Sequence, residues 1–499
     1  MDILFTTFNA RYSHTSLSLR CLRANLGALH DSSAIIEFDN RISPHIAAEK
    51  LLAEKPRLIL FSVYIWNRII VYETAAIIRR VHPEIKIAIG GPEVCYDNSD
   101  SLLIALTDHL LRGEGEPYIE TFCRDILNCG ADIPVCSGQT GMSAPRRPPK
   151  IISGAPADLK KTALPYDEYT DDDIAHRRIY VETSRGCPFG CEYCLSALDQ
   201  TVRFFPPARI FPAFEKLIAR GARIFKFIDR SFNINTAHAA AVLNFFLERQ
   251  QAGMMLHLEW EPEILPPALE KILSGAPAGF FQLETGVQTF NAEVAERIHR
   301  RFNAGKIEQN IRKLAAMNSV HLHADLIAGL PGETFASIAG GFDRLHACGP
   351  QEIQLGILKK LHGAPIARHD VKWQMVYNTA PPYDVLQTAT LSFVELQEIR
   401  RFARFWDITV NNGRFPHAAP LIWKKQPAVF AAFMEWSEWL YKRTGSSMGI
   451  APVKLAGLLE KFLTGRRKLD SSTVRRAIDR DLNNSGASLK GMERQTRKT

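Results

Sequence analysis

The sequence predicts an α/β protein in three parts: an N-terminal doubly wound parallel sheet, a partial (β/α)6 barrel, and a small, mostly helical C-terminal domain. Three observations predict it. Apolar strand-like runs alternate with helix-period stretches from residue 1 to about 135. The same rhythm restarts near residue 173 and gives six βα units before residue 370. Beyond that point the strand signals stop and apolar-periodic helices follow one another.

In the first part, Ile3-Leu-Phe-Thr-Thr7 is a short apolar run, and Ser16 to Leu29 carries Leu19, Leu22, Leu26 and Leu29 at helical spacing. Arg57-Leu-Ile-Leu-Phe-Ser-Val63 reads as a buried strand, Tyr72 to Val81 as an amphipathic helix, and Lys86-Ile-Ala-Ile89 as another strand. Strands of this kind, separated by helices, form a parallel sheet covered on both faces. Such a sheet takes ligands in the crevice at the carboxyl ends of its strands. The polar and glycine-bearing segments stand at those ends: Asn9 to His14, Ser62-Val-Tyr64, Gly90-Gly-Pro-Glu-Val94 and Leu111-Arg-Gly-Glu-Gly-Glu116. Two glycines after a strand are as often plain turn chemistry as a ligand site. His14 reads as a loop or helix-cap residue.

Residues 136 to about 172 read as a linker. Cys136-Ser-Gly-Gln-Thr-Gly-Met-Ser-Ala-Pro-Arg-Arg-Pro-Pro-Lys150 is rich in Gly, Pro and Ser, and Asp167 to Asp173 adds an acidic segment. The second part, 173–370, opens with the strand Arg178-Ile-Tyr-Val181. It runs on through strands at Ile224–Ile228, Met255–Trp260, Gly279–Gln288, His321–Glu333 and Glu352–Ile357. A helix is expected from about Ala292 past Arg301. In a parallel barrel the chemistry lies at the carboxyl ends of the strands. Residues 371–465 carry helices near 391–408, 428–443 and 450–463, with Trp406, Phe430, Phe433 and Trp436 at core-like spacing. From 466 to 499 the chain turns basic and polar and reads as a disordered tail.

The first strand of the second part delivers Glu182-Thr-Ser-Arg-Gly-Cys187-Pro-Phe-Gly-Cys191-Glu-Tyr-Cys194. Three cysteines at C-x3-C-x2-C spacing hold three irons of a cubane [4Fe–4S] cluster, which ordinarily takes four cysteine ligands. No fourth cysteine stands nearby, so one iron is left open to a further ligand. Structural zinc closes its shell with four ligands, usually two C-x2-C pairs far apart. This chain has one such pair near its third cysteine, and the nearest histidine, His176, lies across the preceding strand.

The composition narrows the class. Hydrophobic residues make up 46% and charged residues 23%, ordinary for a globular chain of 499 residues. A net charge of +8, from 61 basic and 53 acidic residues, lacks the density of a nucleic-acid binder. Nine cysteines in this length are no disulfide framework and point to a reducing, cytoplasmic setting. The first residues have no basic region ahead of an apolar stretch, as a signal peptide would, and no apolar run reaches membrane-spanning length.

The cysteine loop resembles the signature of the radical S-adenosylmethionine (SAM) superfamily, with Tyr193 in the aromatic slot. The resemblance implies a cluster whose open iron chelates SAM, and cleavage of SAM to a 5′-deoxyadenosyl radical. It also implies SAM contacts from Tyr193, Asp229 and Arg230, from Glu284 and Gln288 on the fourth strand, and from Ile327 and Gly329 in Asp325-Leu-Ile-Ala-Gly-Leu-Pro-Gly-Glu333. The N-terminal part looks like the cobalamin-binding domain found ahead of many radical SAM cores. That likeness implies cobalamin contacts from Ser62, Tyr64, Gly90, Gly91, Pro92, Glu93, Gly113 and Glu114. The Asp-x-His-x-x-Gly loop of the cobalamin mutases is missing after the first strand. The lower face of cobalt is therefore left to water or a residue such as Tyr64.

The whole arrangement resembles cobalamin-type radical SAM proteins with an unassigned C-terminal domain. It implies methyl transfer to an unactivated carbon of an unknown substrate, with electrons from a flavodoxin or ferredoxin. A non-methylating radical cyclisation, oxidation or rearrangement is the alternative within the class, and a non-catalytic cobalamin or iron–sulfur sensor the alternative outside it. Methylthio transfer to RNA calls for a second cysteine triplet. Cys21, Cys95, Cys123, Cys129 and Cys136 make no such set.

Overall fold

A computed structural model describes residues 1–97, 101–128 and 150–484. Cys129, Cys136, the expected linker up to residue 149 and the tail from residue 485 lie outside the described residues. The chain divides into two compact units. The first holds Met1–Glu259 together with Leu361–Pro365 and Thr379–Tyr383; the second holds the rest of the chain from Trp260 onward. The division falls inside the βα repeat, after its third strand.

The first unit begins with β1 (Ile3–Asn9), α1 (Leu17–Ala24), β2 (Ser33–Asp39), α2 (Pro44–Ala53), β3 (Leu58–Ser62) and α3 (Arg68–Val81). There follow β4 (Lys86–Gly90), α4 (Pro92–Cys95), α5 (Leu102–Leu106), β5 (His109–Arg112), α6 (Ile119–Asn128) and β6 (Lys150–Ser153). The six strands form one parallel sheet in the order β2-β1-β3-β4-β5-β6. The period of two along β1 feeds two cores. Leu4 and Phe8 pack with Ala48, Leu51, Ala75 and Ile78 of α2 and α3. Ile3 and Phe5 pack with Leu19, Ile119 and Phe122 of α1 and α6 on the opposite face. The chain leaves β1 for β2 on one side and reaches β3 on the other, so strand order reverses there. That reversal opens a crevice at the carboxyl ends of β1 and β3.

The expected linker contributes structure of its own. Lys150–Ser153 pairs with His109–Arg112 as the edge strand. Next comes α7 (Asp171–His176), started by a capping box between Thr170 and Asp173. The unit continues with β7 (Ile179–Val181), β8 (Ser184–Arg185), β9 (Arg203–Phe204), α8 (Pro207–Ala219), β10 (Ile224–Phe227), α9 (Thr236–Glu248) and β11 (Met255–Glu259). Strands β7, β10 and β11 are parallel neighbours, with Phe225 opposite Ile179 and Ile224 opposite Met255.

The second unit carries the rest of the repeat: α10 (Pro267–Ser274), β12 (Phe281–Gln288), α11 (Ala292–Arg297), α12 (Ala304–Ala315), β13 (Val320–Ala328), α13 (Phe335–Ala347) and β14 (Glu352–Ile357). Strands β12, β13 and β14 are parallel neighbours. On β13 the odd-positioned face is His321, His323, Asp325 and Ile327, while Leu322, Ala324 and Ala328 are wholly buried. The helix expected from Ala292 past Arg301 is two helices. His299 takes a left-handed conformation at φ 52°, and the Asn303 side chain caps α12 by accepting from the Lys306 N–H.

A short hairpin, β15 (Val376–Tyr377) and β16 (Val385–Gln387), leads to α14 (Phe393–Trp406), α15 (Val429–Thr444), α16 (Pro452–Gly465) and α17 (Ser471–Asn484). Their core is aromatic: Phe402, Trp406, Phe430 and Phe433 touch one another ring to ring. Helix α17 corrects the expected disordered tail. Its charged composition conceals Val474, Ile478 and Leu482, spaced four apart and buried. Buried Asp481 accepts from the His417 ring at 2.7 Å and from the backbone N–H of Ala418 at 2.9 Å. No helix among the described residues is long and apolar enough to cross a membrane.

Candidate functional site

The cysteine loop springs from the end of β7. Its stem, β8, pairs antiparallel with β9, so the loop leaves and returns on a two-strand ladder. Gly186 sits at φ 91°, and a Cβ there would stand 2.1 Å from the Thr201 carbonyl oxygen; no other residue fits. The Cys187 N–H donates to the Asp199 carbonyl at 3.0 Å and the Cys194 N–H to the Cys191 carbonyl at 3.0 Å. Cys187 and Cys191 are buried, Cys194 half-buried.

The donor set fits a cluster. Burial pushes the Cys187 thiol up, and the charges of Cys194 and Cys191 add to the shift. Cationic iron would favour the ionised form of this buried thiol. Among the described residues no three His, Cys, Asp or Glu are grouped around a point as one metal ion would require. The thiols of a cubane bind three different irons and need no such grouping.

Asp229 holds the stem. It is 1% exposed. Its carboxylate accepts from the Thr183 N–H at 3.0 Å, the Thr183 hydroxyl at 2.6 Å and the Ser184 hydroxyl at 2.6 Å. The next residue, Arg230, is turned outward to Glu259, 3.4 Å away. Glu259 is the main cause that holds its guanidinium protonated, with lesser contributions from Cys194, Cys187 and Tyr64. Arg230 therefore stands within electrostatic reach of both the cysteine loop and Tyr64.

Tyr64 belongs to the crevice of the N-terminal sheet. Its hydroxyl lies 3.1 Å from that of Ser18, which in turn lies 3.3 Å from that of Ser62. Its ring stacks on the half-exposed Trp66 at 4.5 Å. Gly91 sits at φ 106° with the Val63 carbonyl 2.6 Å from where a Cβ would be, so the turn through Gly90, Gly91 and Pro92 packs on the end of β3. Glu93, which follows, is buried, and its carboxylate is taken by Arg68 at 2.8 Å and by the Tyr383 hydroxyl at 2.6 Å. His14 is a turn residue, as expected, with its Nδ1 2.5 Å from the Tyr180 hydroxyl.

Gly113 and Glu114 lie in the loop after β5, and here sequence reasoning missed the partner. Arg185, on the stem of the cysteine loop, reaches Glu114 at 3.1 Å, Glu116 at 2.7 Å and Glu182 at 2.7 Å. Arg203 adds a second guanidinium to Glu114, which also accepts from the Ala157 N–H at 2.6 Å. Burial pushes Glu182 up, with Arg185 opposing it. The Arg112-Gly-Glu-Gly-Glu116 segment thus grips the cluster stem through its carboxylates. The signal available in the sequence was Arg185 itself, a charged residue inside a ligand loop.

The other expected SAM-lining residues are in the second unit. Glu284 is on β12, and Gln288 ends that strand in a left-handed conformation at φ 71°. Ile327 is on β13, and Gly329 follows it at φ 90°. A small cavity touches Gln288, Ile327 and Glu333. Glu333 is 2% exposed and accepts from the hydroxyls of Thr289 at 2.6 Å and Ser337 at 3.1 Å.

Burial pushes Glu333 from its ordinary 4.5 up to about 7, against those two donors. The folded chain keeps this proton where the unfolded chain has released it, so stability present below 4.5 is lost as pH rises to about 7. Glu333→Gln removes that loss. The expected gain is about 3 kcal/mol at pH 8 and near zero at pH 4, read from unfolding midpoints at the two pH values. Equal shifts at both would refute it.

The comparisons agree with this layout. Residues 3–122 match the model of the B12 binding domain and residues 181–344 that of the Radical SAM superfamily. Residues 371–489 match a protein family of unknown function, DUF4080. The chain is 26% identical over 318 residues to 2-(S-pantetheinyl)-carbapenam-3-carboxylate methyltransferase of Streptantibioticus cattleyicolor, covering 60% of this chain and 46% of that protein. It is 26% identical over 344 residues to the cobalamin-dependent radical SAM methyltransferase TokK of Streptomyces tokunonensis, covering 61% and 47%. The chain thus spans about half the length of these relatives. In fold it resembles OxsB, a cobalamin-dependent SAM radical enzyme solved with aqua-cobalamin, at a TM-score of 0.63 and 12% identity over 98% of this chain and 81% of that one. It also resembles the radical SAM methyltransferase TsrM of Kitasatospora setae at 0.56 and 16%, over 79% and 80%.

Fold and site together define a protein that joins a parallel-sheet domain to a βα-repeat core bearing a three-cysteine loop. The chain carries a radical SAM domain over residues 181–344 and a B12-binding domain over residues 3–122. The radical SAM domain implies a [4Fe–4S] cluster and SAM, and the B12-binding domain implies cobalamin.

Proposed function

We propose that the chain is an enzyme that cleaves SAM to a 5′-deoxyadenosyl radical and transfers a methyl group to an unactivated carbon of its substrate. The observation that carries this reading is the bonding of Arg185 to Glu114 and Glu116. It joins the stem of the cluster loop to a strand-end loop of the B12-binding domain, as a reaction that uses both cofactors on one substrate requires. When bound, the cluster supplies the electron that cleaves SAM and cobalamin supplies a methyl carrier; the protein's part is to hold and orient them.

In this reading Cys187, Cys191 and Cys194 hold the cluster, and Asp229 fixes the stem rather than touching SAM. Arg230, as a cation, and Tyr193 of the cysteine loop would contact SAM. Glu284, Gln288, Ile327 and Gly329 are the second unit's candidate SAM contacts, carried over from the family pattern. Ser62, Tyr64 and the Gly90–Glu93 turn border the corrin. The electron donor is a small redox protein of the flavodoxin or ferredoxin kind.

The test is anaerobic reconstitution with iron, sulfide and hydroxocobalamin, followed by SAM and a strong reductant. 5′-Deoxyadenosine is expected. SAM labelled with deuterium in its methyl group is then added to a metabolite extract, and a product heavier by one labelled methyl is expected. No 5′-deoxyadenosine from protein with a verified cluster would sink the enzyme reading; 5′-deoxyadenosine without labelled product would sink methylation.

A further inference from the structure

The stretch that follows β14 alternates between the two units. Leu361–Pro365 and Thr379–Tyr383 group with the first unit, and the residues flanking them with the second. Within the first unit both segments meet one target, the turn after β4. The Tyr383 hydroxyl donates to Glu93 Oε1 at 2.6 Å, and Tyr383 is 7% exposed. His362 stands edge-on to the Tyr383 ring, centroids 4.9 Å apart. Its Nε2 lies 3.8 Å from Glu93 and its Nδ1 3.9 Å from Asp97. Arg68 completes the group at 2.8 Å from Glu93 and 2.7 Å from Asp97.

This is a built arrangement rather than a chance contact. Tyr383 takes a left-handed backbone at φ 55°, a conformation that a bulky side chain keeps only where its surroundings hold it. Burial, with the Glu93 carboxylate second, pushes its phenol up, so the hydroxyl remains a donor. Glu93 is the residue that ends the Gly90-Gly-Pro turn, and Tyr383 belongs to the region matching the family of unknown function. Within the second unit the same stretch meets the SAM-lining segment. Val385 lies over Gly329, and the Thr390 hydroxyl donates to the Glu333 carbonyl at 2.7 Å.

We propose that Tyr383 and His362 are positioning residues of the cobalamin site. They fix Glu93, and with it the Gly90–Pro92 turn, so Tyr383 of the C-terminal family region and His362 just ahead of it complete the B12-binding domain. The proposal rests on the reading that cobalamin lies at that turn. It gives this part of a region of unknown function a task, to hold a cofactor loop that belongs to another domain.

The test is the dissociation constant of hydroxocobalamin for the full-length protein and for Tyr383→Phe, measured by equilibrium dialysis. Thermal midpoint and iron content are followed in parallel. Release of Glu93 from its fixed position predicts affinity weaker by about tenfold in Tyr383→Phe, with iron content unchanged and the midpoint lower by no more than the few degrees that one hydrogen bond is worth. His362→Gln, which removes the imidazole packed edge-on against the Tyr383 ring, is expected to weaken it by about threefold, the worth of such a ring pair. Wild-type affinity in both variants overturns the proposal alone. A loss of affinity that accompanies a fall in iron content, or a fall in midpoint beyond those few degrees, also overturns it, because the residues would then be merely structural. A wild-type protein that takes up no cobalamin overturns the cofactor reading, and the proposal with it.

Discussion

Cys191→Ala is expected to purify with no more than trace iron and to form no 5′-deoxyadenosine above background. The loop offers three thiols within eight residues, and removing one leaves two ligands for a cubane that is stable with three or four. Cys187→Ala and Cys194→Ala should behave alike. The fold itself should survive. Cys187 and Cys191 are buried but lie in a loop, outside the two cores of the N-terminal sheet, so far-ultraviolet circular dichroism should match wild type. The measurements are iron and sulfide content after anaerobic reconstitution and the broad absorption of the cluster. A variant that keeps a full cluster would remove that cysteine from the ligand set.

Arg185→Ala is expected to destabilise the first unit by about 3–5 kcal/mol, the usual effect of stripping one partner from a buried charge group. Glu182 and Glu116 are 3% and 7% exposed at their side chains and would lose their cation. Glu114 keeps Arg203. The pH dependence follows from the direction of the Glu182 shift. Burial raises its pKa even with Arg185 present, so the unfolded chain releases this proton first and stability falls as pH climbs above the ordinary carboxylate range. Without the opposing guanidinium the pKa rises further, and the deficit of Arg185→Ala should widen between pH 5 and pH 8. Chemical denaturation at both values reads this; a deficit that narrows with pH would contradict it. Arg185→Lys should recover part of the loss, since an ammonium keeps the charge but not the forked geometry that reaches three carboxylates.

Local signals made much of the fold and the centre of the site legible. The loop from Cys187 to Cys194 is short, and its ligand spacing is chemistry written directly in the chain. Strands β1, β3 and β4, at the middle of the N-terminal sheet, are buried on both faces and read as short apolar runs. What escaped was long-range or amphipathic. Helix α17 has a charged sequence whose three core residues recur every fourth position, which composition alone masks. Glu114 looked like a ligand contact because it stands at a strand end, where such residues gather. Its partner, Arg185, lies 71 positions away in the sequence, and no periodicity connects them. Tyr383 and Glu93 are 290 positions apart. Asp229 was expected at SAM from the family resemblance, and only the structure shows its carboxylate accepting from Thr183 and Ser184.

The grip of Arg185 on the loop after β5 also bears on modularity. An N-terminal piece ending at residue 128 would keep its two apolar cores, yet it would lack the edge strand Lys150–Ser153. It would also leave Glu114 and Glu116 without Arg185 and Arg203. Such a fragment is not a self-sufficient cassette. A chimaera that grafts this cofactor domain onto a different core would have to carry those guanidinium groups on the new cluster stem. The boundary that matters for recombination is therefore electrostatic and falls after residue 204, well inside what the chain order alone presents as the second domain.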